Sequence, residues 1–403
     1  MDTDRIQQRF EEMSGAEISR SDLNRPEKPI RLLLVAPALT ILGGQAVQAN
    51  YLLEHLSRER EFEVSFVPHN PRLPAPFRLL QSIKYVRTIV TSLVYCINLL
   101  IQVPKHDIVQ TLSASYWSFL LGPTPAILIA RFFGKKSIVN YRSGQAEDHL
   151  RNWPRTAVPI MKLADGIIVP SQYLVDVFRK FGLHAFAIAN VIDNTRFKYR
   201  EREPLQPIFL SNRNMYPLYN VACILRAFAK IQQTFSEAKL ILAGDGPQRP
   251  ALESLARELK LQNIEFRGRV SPSKMHELYN ESHIFLNSPN IDNMPGSILE
   301  SFFSGVPVVS TSAGGIRCIV THERTGLLVP RNDHEAMAAC AIRLLESPEL
   351  ATSIVRNAHE ECSAYTWPAV RESWLAAYTR LAGRDGTALG AGQWTQSNAE
   401  GVG

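Results

Sequence analysis

Two carboxylates that stand eight positions apart, Asp292 and Glu300, are the side chains best placed by their spacing to do chemistry. They bracket the start of a predicted helix, SILESFF, which lies between the apolar strand patterns HIFL and VPVVS and which Gly305 would end as a C′ glycine. A helix N-terminus presents unpaired backbone N–H groups and the positive end of the helix dipole. The stretch 287–315 therefore predicts an anion site at a strand end in an α/β sheet.

Glycines and an arginine also follow predicted strands in both halves of the chain. Gly43 and Gly44 come after the strand RLLLVAP, and they either let backbone approach a phosphate or form a plain turn. Gly244 and Gly246 in AGDGP follow the strand KLIL, with the same two interpretations. Arg213 follows PIFLSN and can pair bidentately with a phosphate, although a surface arginine is the commoner explanation. Because carboxyl ends of parallel strands meet at one edge, these residues together predict one cleft.

Strand-length apolar runs alternate with helical patterns along most of the chain, which indicates α/β domains with doubly wound parallel sheets. A polar stretch at 191–206 interrupts the alternation, so we place a domain linker there. Two Rossmann-like halves would face each other across a ligand cleft. The predicted divisions are a flexible tail at 1–28, an N-terminal domain at 29–200, a C-terminal domain at 201–365, an amphipathic helix at 366–383 and a flexible tail at 384–403.

The composition is that of a globular protein of 403 residues, with 45% hydrophobic and 20% charged residues. The net charge of +6 suits phosphate-bearing ligands or an anionic membrane surface without specifying either. The five cysteines are scattered without a CxxC, so we expect no metal site, no disulfide framework and a cytoplasmic location. The polar, acidic N-terminus does not read as a signal peptide. The chain lacks the G-x-G-x-x-G and G-x-x-x-x-G-K-[ST] motifs, which disfavours a dinucleotide dehydrogenase and a P-loop NTPase.

The order of motifs resembles the retaining GT-B glycosyltransferases of family four, also called group 1 glycosyl transferases. The match is nearly continuous in the C-terminal half to about residue 330, and in the N-terminal half it is limited to the strand pattern and the glycine loop. The motifs that carry the resemblance are the glycine pair at 43–44, NVIDNTRF, SNRN, AGDGP, FRGRV, SPNIDNMPGSILESFFSGVPVVST and AGG.

This resemblance implies two Rossmann-like domains, with the last helix crossing back to the first. It further implies a nucleoside-diphosphate sugar, such as a UDP- or GDP-sugar, held mainly by the second domain, with no required metal or other cofactor. The implied activity is a retaining hexosyltransferase of polysaccharide biosynthesis that acts on a saccharide, a lipid-linked or another hydroxyl acceptor. No nucleic acid partner is expected.

The resemblance also implies a role for each motif residue. Gly43 and Gly44 would face the donor diphosphate, and Arg213 would pair with it. Glu300 would hold the ribose hydroxyls, since a carboxylate accepts two such hydrogen bonds well, and Asp292 would touch the donor sugar. The remaining donor contacts implied are the turn at Gly246, the backbone near Arg269, and backbone groups of Met294, Gly296, Ser297 and Ile298.

Three positions depart from the family pattern. Leu218 stands where a lysine is usual, Asp292 replaces a glutamate, and Arg142 stands where a histidine is usual. An arginine can bind a phosphate or a leaving oxyanion, but it cannot act as a base at neutral pH. We therefore assign Arg142, with Asp292, to the catalytic group. The departures leave two alternatives open: a catalytically weakened homologue that serves as a partner subunit, and a phosphorylase-like or epimerase-like GT-B enzyme.

The segment 77–103 has apolar residues at helical spacing and basic residues at Arg78, Lys84 and Arg87. It is too polar at its start for a membrane span. It would either lie peripherally on the inner face of an anionic membrane or pack in the core of the first domain, and we favour the core. His149 lies in a predicted loop on the acceptor side and is interpreted as structural.

Overall fold

The computed structural model describes residues 28–39, 43–71 and 83–384. Within these ranges, twelve strands form two six-stranded sheets, and every paired neighbour is parallel. The expectation of two Rossmann-like parallel sheets is therefore confirmed. The predicted tails, apart from Lys28 and Arg384, lie outside the described residues, as does the predicted helix up to residue 82.

The first sheet has the order β2-β1-β3-β4-β5-β6. Most residues of β1, β3 and β4 are buried, because helices cover both faces of the sheet. Its elements are β1 (Ile30–Ala36), α1 (Gly44–Leu56), β2 (Phe62–Pro68), α2 (Lys84–Gln102), β3 (Ile108–Ser113), α3 (Trp117–Leu121), α4 (Pro123–Phe132), β4 (Lys136–Tyr141), α5 (Ala146–Asn152), α6 (Pro154–Lys162), β5 (Gly166–Val169), α7 (Gln172–Lys180) and β6 (Phe186–Ala187).

The second sheet has the order β12-β11-β10-β7-β8-β9. Its central helix α11 ends as the sequence predicts, because Gly305 has a φ of +68° just beyond the last turn. The elements of this half are β7 (Ile208–Ser211), α8 (Val221–Thr234), β8 (Lys239–Ala243), α9 (Arg249–Glu258), β9 (Ile264–Gly268), α10 (Met275–Glu281), β10 (Ile284–Asn287), α11 (Gly296–Phe303), β11 (Val308–Thr311), β12 (Leu327–Val329), α12 (His334–Glu346), α13 (Pro348–Glu361) and α14 (Trp367–Leu381).

The last helix, α14, crosses back and packs on the first sheet. The Trp374 and Tyr378 side chains are fully buried in one cluster with Phe62 of β2. At the start of the helix, Arg371 pairs with Glu59 at 2.7 Å. The apolar face that the sequence predicts for this helix is thus the face that joins the chain's end to its first domain.

Two elements differ from the sequence expectations. The run AFAIAN predicts a six-residue strand, but β6 has two residues, because it is an edge strand from which the chain turns toward the second half. Helix α13, which follows α12 after a single residue, is not anticipated by the sequence pattern.

Core packing of the helix predicted at 77–103 is wrong for its described part. Among the described side chains of α2, only Tyr95 and Leu99 are buried. The helix therefore contacts the domain core along a single narrow stripe of its surface. Among the residues the structure describes, Tyr85–Lys105 is also the one helical segment long and apolar enough to cross a membrane, a test that core helices of soluble proteins pass as well.

Replacing Trp374 by alanine should destabilise the junction between α14 and the first sheet. The substitution removes a fully buried indole, and such losses cost about 3–5 kcal/mol. Urea unfolding followed by fluorescence and by circular dichroism would measure the loss. Glu372→Ala, at an exposed position of the same helix, is the control and should change stability by less than about 0.5 kcal/mol. Equal stability of the two variants would contradict the packing described for α14.

Candidate active site

A cavity of about 650 Å³ lies between the two sheets and is lined from both. On one side its wall follows β1 and β3, and on the other it follows β7 and β10. In each sheet these two strands are neighbours from which the chain winds in opposite directions, the point where α/β sheets open a ligand crevice. The structure thus places both crevices on one cleft.

Most of the residues predicted for the site line this cavity. The exceptions are Gly246 and Ile298. A Cβ on Gly246 would lie 2.5 Å from the Met215 carbonyl oxygen, so this glycine packs on backbone, and the Ile298 N–H donates to the Pro295 carbonyl at 3.2 Å. The predicted residues that line the cavity are Gly43, Gly44, Arg142, Arg213, Arg269, Asp292, Met294, Gly296, Ser297 and Glu300.

The glycines at the two strand ends serve different purposes. Gly43 has an extended φ of −178°, and a Cβ on Gly43 or Gly44 would meet none of the described residues within 4 Å. These two glycines therefore leave the cavity wall open rather than satisfy a strained turn. Gly244, in contrast, has a φ of +134°, and its Cβ would lie 2.4 Å from the Arg213 carbonyl oxygen. Only a glycine fits there, so the AGDGP turn positions the arginine.

Arg213 is held on three sides. Its guanidinium pairs with Asp292, donates to the Ser297 hydroxyl at 3.2 Å and lies 4.2 Å from the centre of the Tyr219 ring. Burial is the largest single influence and works to lower the pKa of Arg213, but Asp292 and the other acidic groups around it, Tyr219, Tyr279 and Glu300, together raise it. The arginine is therefore a fixed cation at the start of α11.

The Asp292 backbone lies where the two halves meet. A Cβ on Gly144, after β4, would approach the Asp292 carbonyl carbon to 2.9 Å, and one on Gly314 would approach the Asp292 carbonyl oxygen to 2.1 Å. Ser171 of the first half also donates to the neighbouring Asn293 side chain. The loop before α11 is thus fixed by glycines of both halves.

Glu300 is a carboxylate enclosed by neutral groups. Its Oε2 accepts from the Tyr279 hydroxyl at 2.9 Å, and Tyr279 in turn accepts from Asn212 at 2.8 Å. Burial raises the pKa of Glu300, while the tyrosine and the charge of Arg213 oppose that rise. Its Oε1 faces Gly296, 4.0 Å from the position a Cβ would take there. One oxygen is therefore anchored and the other faces the cavity wall.

Arg142 is a cation whose hydrogen-bond partners are neutral. Its Nη1 donates to the side-chain oxygens of Gln48, at 3.4 Å, and Asn190, and its Nε is buried without a partner among the described residues. Burial lowers the pKa of Arg142 to about 10, so the guanidinium stays charged at neutral pH. Asn190 also donates to the Met294 carbonyl at 2.8 Å, which ties this arginine to the loop before α11.

Arg202 is a structural arginine of the same chain, and its hydrogen bonds can be compared with those of Arg142. Its guanidinium donates to the backbone carbonyls of Tyr279, Ser282, Ser304 and Gly305 at 2.7–2.9 Å, away from the cavity. Burial lowers the pKa of Arg202 to about 10 as well. Arg142 lacks such a set of backbone acceptors, and it lines the cavity.

Six described charged residues line the cavity: the arginines at 142, 196, 213 and 269, and the carboxylates at 292 and 300. Their sum is +2, which suits a doubly charged anion. Leu218 lines it too, so the lysine that the family pattern expects is missing from the site itself. No cluster of His, Cys, Asp or Glu able to hold a metal occurs in the part of the chain that the structure describes.

Sequence reasoning missed the residues that support the site. Gln48, Asn190, Asn212, Tyr219 and Tyr279 all orient charged groups, as described above. Asn190 and Asn212 belong to the motifs NVIDNTRF and SNRN, so their position in these motifs was an available signal. The two tyrosines gave none, because aromatic residues at such positions also read as core.

His149 is structural, but it is not in a loop. It lies on α5, is fully buried, and its Nδ1 is 3.0 Å from the Tyr141 hydroxyl. Rings of Tyr116, Phe119 and Trp153 surround it. Burial lowers the pKa of His149 to about 4, so the imidazole is neutral at physiological pH.

Two parallel-sheet halves, a cleft at both switch points and a last helix that returns to the first half define a GT-B fold. Residues 192–361 match the family model of glycosyl transferases group 1. The structure superposes on HepE of Anabaena, solved in complex with UDP-glucose, with a TM-score of 0.70 at 14% identity, covering 87% of this chain and 100% of that one. The resemblance drawn from the sequence is confirmed.

Curated relatives match parts of the chain. An exopolysaccharide phosphotransferase of Streptomyces coelicolor is 30% identical over 216 residues, which are 53% of this chain and 22% of the relative. The N-acetyl-alpha-D-glucosaminyl L-malate synthase of Bacillus anthracis is 31% identical over 156 residues, 38% of this chain and 40% of the relative. The chain thus spans less than half the length of each of these two relatives.

Glu300→Gln should stabilise the protein at pH 8. Because the pKa of Glu300 is raised in the folded state, its contribution to stability is full below its ordinary value of 4.5 and is lost as pH rises through the folded pKa. A glutamine does not ionise, so it does not lose stability as the pH rises, and its amide oxygen can still accept a hydrogen bond from the Tyr279 hydroxyl. Thermal melts from pH 4.5 to 8 should show a gain in Tm that grows with pH. Glu258→Gln, at an exposed position, should show none, and a lower Tm for Glu300→Gln at pH 8 would contradict the assigned burial.

Proposed function

We propose that this chain is a retaining glycosyltransferase that moves a sugar from a UDP- or GDP-sugar to a hydroxyl group of a saccharide, a lipid-linked or another acceptor, in the cytoplasm and without a metal. The observation that carries the proposal is the cavity, which Arg142, Arg213, Glu300 and the start of α11 line together. Support also comes from the match of residues 192–361 to the group 1 family model and from the complex of HepE with UDP-glucose.

Each part of a nucleotide sugar has a matching group in the cavity. The backbone N–H groups of Gly296 and Ser297 lie in the first turn of α11, where helix geometry leaves them without intrahelical acceptors. They would hold the diphosphate together with Arg213. The Oε1 of Glu300 would accept from the ribose hydroxyls, and the backbone near Arg269, at the exposed rim, would contact the base.

Arg142 would supply the charge that Leu218 does not. A diphosphate needs cations as it leaves, and Arg142 lines the cavity with a charged guanidinium whose hydrogen-bond partners are neutral. Charge-assisted hydrogen bonds of this kind are stronger than neutral ones. The cation thus comes from the first domain instead of the second.

In the proposed reaction the acceptor oxygen bonds to the anomeric carbon on the face from which the diphosphate leaves. The bond between that carbon and the diphosphate oxygen breaks, and the acceptor proton passes to the departing diphosphate. No protein base is needed, which agrees with an arginine at position 142. The protein orients the reactants and stabilises the developing charge. Asp292, freed as Arg213 turns to the diphosphate, would contact the donor sugar.

Arg142→Ala should weaken donor binding and slow transfer. Loss of a hydrogen bond to a charged group costs about 1.5–3 kcal/mol, or about 10- to 100-fold. A thermal-shift panel of UDP-, GDP- and ADP-sugars would first identify the donor, and titration with it would give Kd. Arg226→Ala, an exposed arginine on α8, is the control and should behave as wild type. Unchanged Kd and turnover for Arg142→Ala would overturn its role.

The product settles the reaction class. Proton NMR of the glycoside should show the anomeric configuration of the donor, and EDTA should leave the rate unchanged. An inverted product would refute the retaining mechanism. Binding without transfer or donor hydrolysis would support a weakened homologue instead, and no stabilisation by any nucleotide sugar would count against the whole proposal.

Gly43→Ala should impair donor binding without loss of stability. The methyl group meets nothing within 4 Å in the part of the chain that the structure describes, so the ligand-free fold should tolerate it, but it lies at the cavity wall where the diphosphate is proposed. We expect donor Kd to rise about tenfold or more, the size of effect that overpacking produces. Gly244→Ala is the contrast: its methyl would clash with the Arg213 carbonyl, so Tm should fall as well. A normal donor Kd for Gly43→Ala would place the diphosphate elsewhere.

A further inference from the structure

Helix α2 carries an apolar face that the described part of its domain leaves uncovered. Ile89, Leu93, Ile97 and Leu100 follow one another at intervals of four, four and three residues, which places them on one side of the helix. Their exposed fractions are 69%, 60%, 45% and 48%. Exposed apolar residues scattered singly need no explanation, but a contiguous face marks an interaction site.

The exposed apolar residues continue onto the neighbouring helices. Trp117 and Leu121 of α3 and Phe132 of α4 are exposed by 64%, 39% and 80%, and α4 packs against α2. Of the fourteen exposed large hydrophobic residues in the described part of the chain, eleven lie between residues 83 and 132. We call Ile89, Leu93, Ile97, Leu100, Ile101, Trp117, Leu121, Leu128 and Phe132 the apolar surface.

The stretch of sequence that contains the apolar surface is strongly basic. Residues 64–146 contain nine arginines and lysines and one acidic residue, Asp107, a net charge of +8. The whole chain has a net charge of +6, so the rest of it is slightly acidic. Asp107 itself is paired with Arg31 at 2.7 Å. The apolar surface therefore lies within a part of the chain that carries a strong positive charge.

We propose that the apolar surface docks on an anionic lipid bilayer, with α2 lying along the interface and the basic residues around it contacting lipid headgroups. Apolar side chains that enter the boundary of the acyl region, combined with Lys and Arg near it, are the features by which amphipathic helices bind such membranes. The sequence raised a bilayer as one of two possibilities for α2, and the structure adds the uncovered face and its continuation onto α3 and α4.

The apolar surface reaches the edge of the cleft. Trp117 belongs to this surface, and the next residue, Ser118, lines the cavity. A bilayer in contact with Trp117 would therefore hold an acceptor with its lipid tail in the membrane and its hydroxyl group at the cleft. This step rests on the proposed function and narrows its acceptor to a lipid-anchored hydroxyl compound.

Two other occupants of the apolar surface fit less well. A second copy of the chain would bring two segments of charge +8 against each other, and like charges oppose such contact. A membrane-spanning position for α2 would break its packing, because Tyr95 is fully buried and its hydroxyl donates to the Gly122 carbonyl at 2.7 Å. Docking on a bilayer keeps this packing intact and covers the exposed face.

Flotation with lipid vesicles tests the proposal on the full chain. Vesicles of phosphatidylcholine with about a third phosphatidylglycerol should carry the protein upward at low salt, and pure phosphatidylcholine vesicles should carry much less, because the Lys and Arg attraction requires anionic headgroups. Raised salt should release the protein. No binding to the anionic vesicles, or binding that resists both high salt and carbonate extraction, would overturn a peripheral bilayer contact.

Matched variants locate the contact. The double substitution Leu93→Glu with Ile97→Glu changes two exposed residues, so it should fold normally, as thermal melts would check, and should lower vesicle partitioning at least tenfold. Arg131→Glu with Lys135→Glu should weaken binding to anionic vesicles, whereas Arg226→Glu on the second domain should not. Unchanged partitioning of the Leu93 and Ile97 variant, or a dimer of the wild type that this variant makes monomeric, would assign the surface to another occupant.

Donor hydrolysis separates this proposal from the proposed function. The Leu93 and Ile97 variant leaves the cavity intact, so donor binding and hydrolysis in solution should equal those of the wild type, while transfer to an acceptor embedded in vesicles should fall. Wild-type donor binding together with failure to bind vesicles would refute only the membrane contact. Vesicle binding without donor binding would refute only the proposed function.

Discussion

The arrangement of the site depends on how closely the Asp292 backbone is enclosed. Gly144 of the first half and Gly314 of the second both approach it to distances that no side chain on those glycines would permit. The loop before α11 is therefore fixed between the domains, and the start of the helix, Arg213 and Glu300 take their positions from it. Asn190 extends this constraint, because it binds both Arg142 and the Met294 carbonyl.

The charged groups fixed in this way are held at a cost to stability. Burial lowers the pKa of Arg142 and raises that of Glu300, so the charged form of each side chain is less stable in the protein than it is in water. A protein selected for stability alone would pair these charges or replace them by apolar residues. Their retention at a cavity, with donors unused, is what a ligand of matching charge would explain.

The sequence predicted the strands, the paired domains and the strand-end residues because each is a local pattern. It did not predict which glycine of AGDGP meets the cavity, since Gly244 and Gly246 differ only in what packs against them. Nor did it predict that the apolar face of α2 is exposed. A core helix and a surface helix can have the same helical spacing of apolar residues. They differ in how many other elements of the fold pack against the apolar face, and the sequence of the helix does not contain that information. The roles of Tyr219 and Tyr279 likewise depend on contacts with residues distant in the chain.

The exchange of a lysine for Leu218 and of a histidine for Arg142 has a consequence for how the domains work together. In the family pattern the second domain supplies the extra cation, so it could hold a diphosphate by itself. Here the proposed cation is Arg142 of the first domain, which donates to Gln48 and Asn190. Under the proposed function the diphosphate would then bridge the two domains, and donor binding would favour the closed cleft. Since the apolar surface is part of that first domain, membrane docking, acceptor supply and donor binding would all involve the same domain.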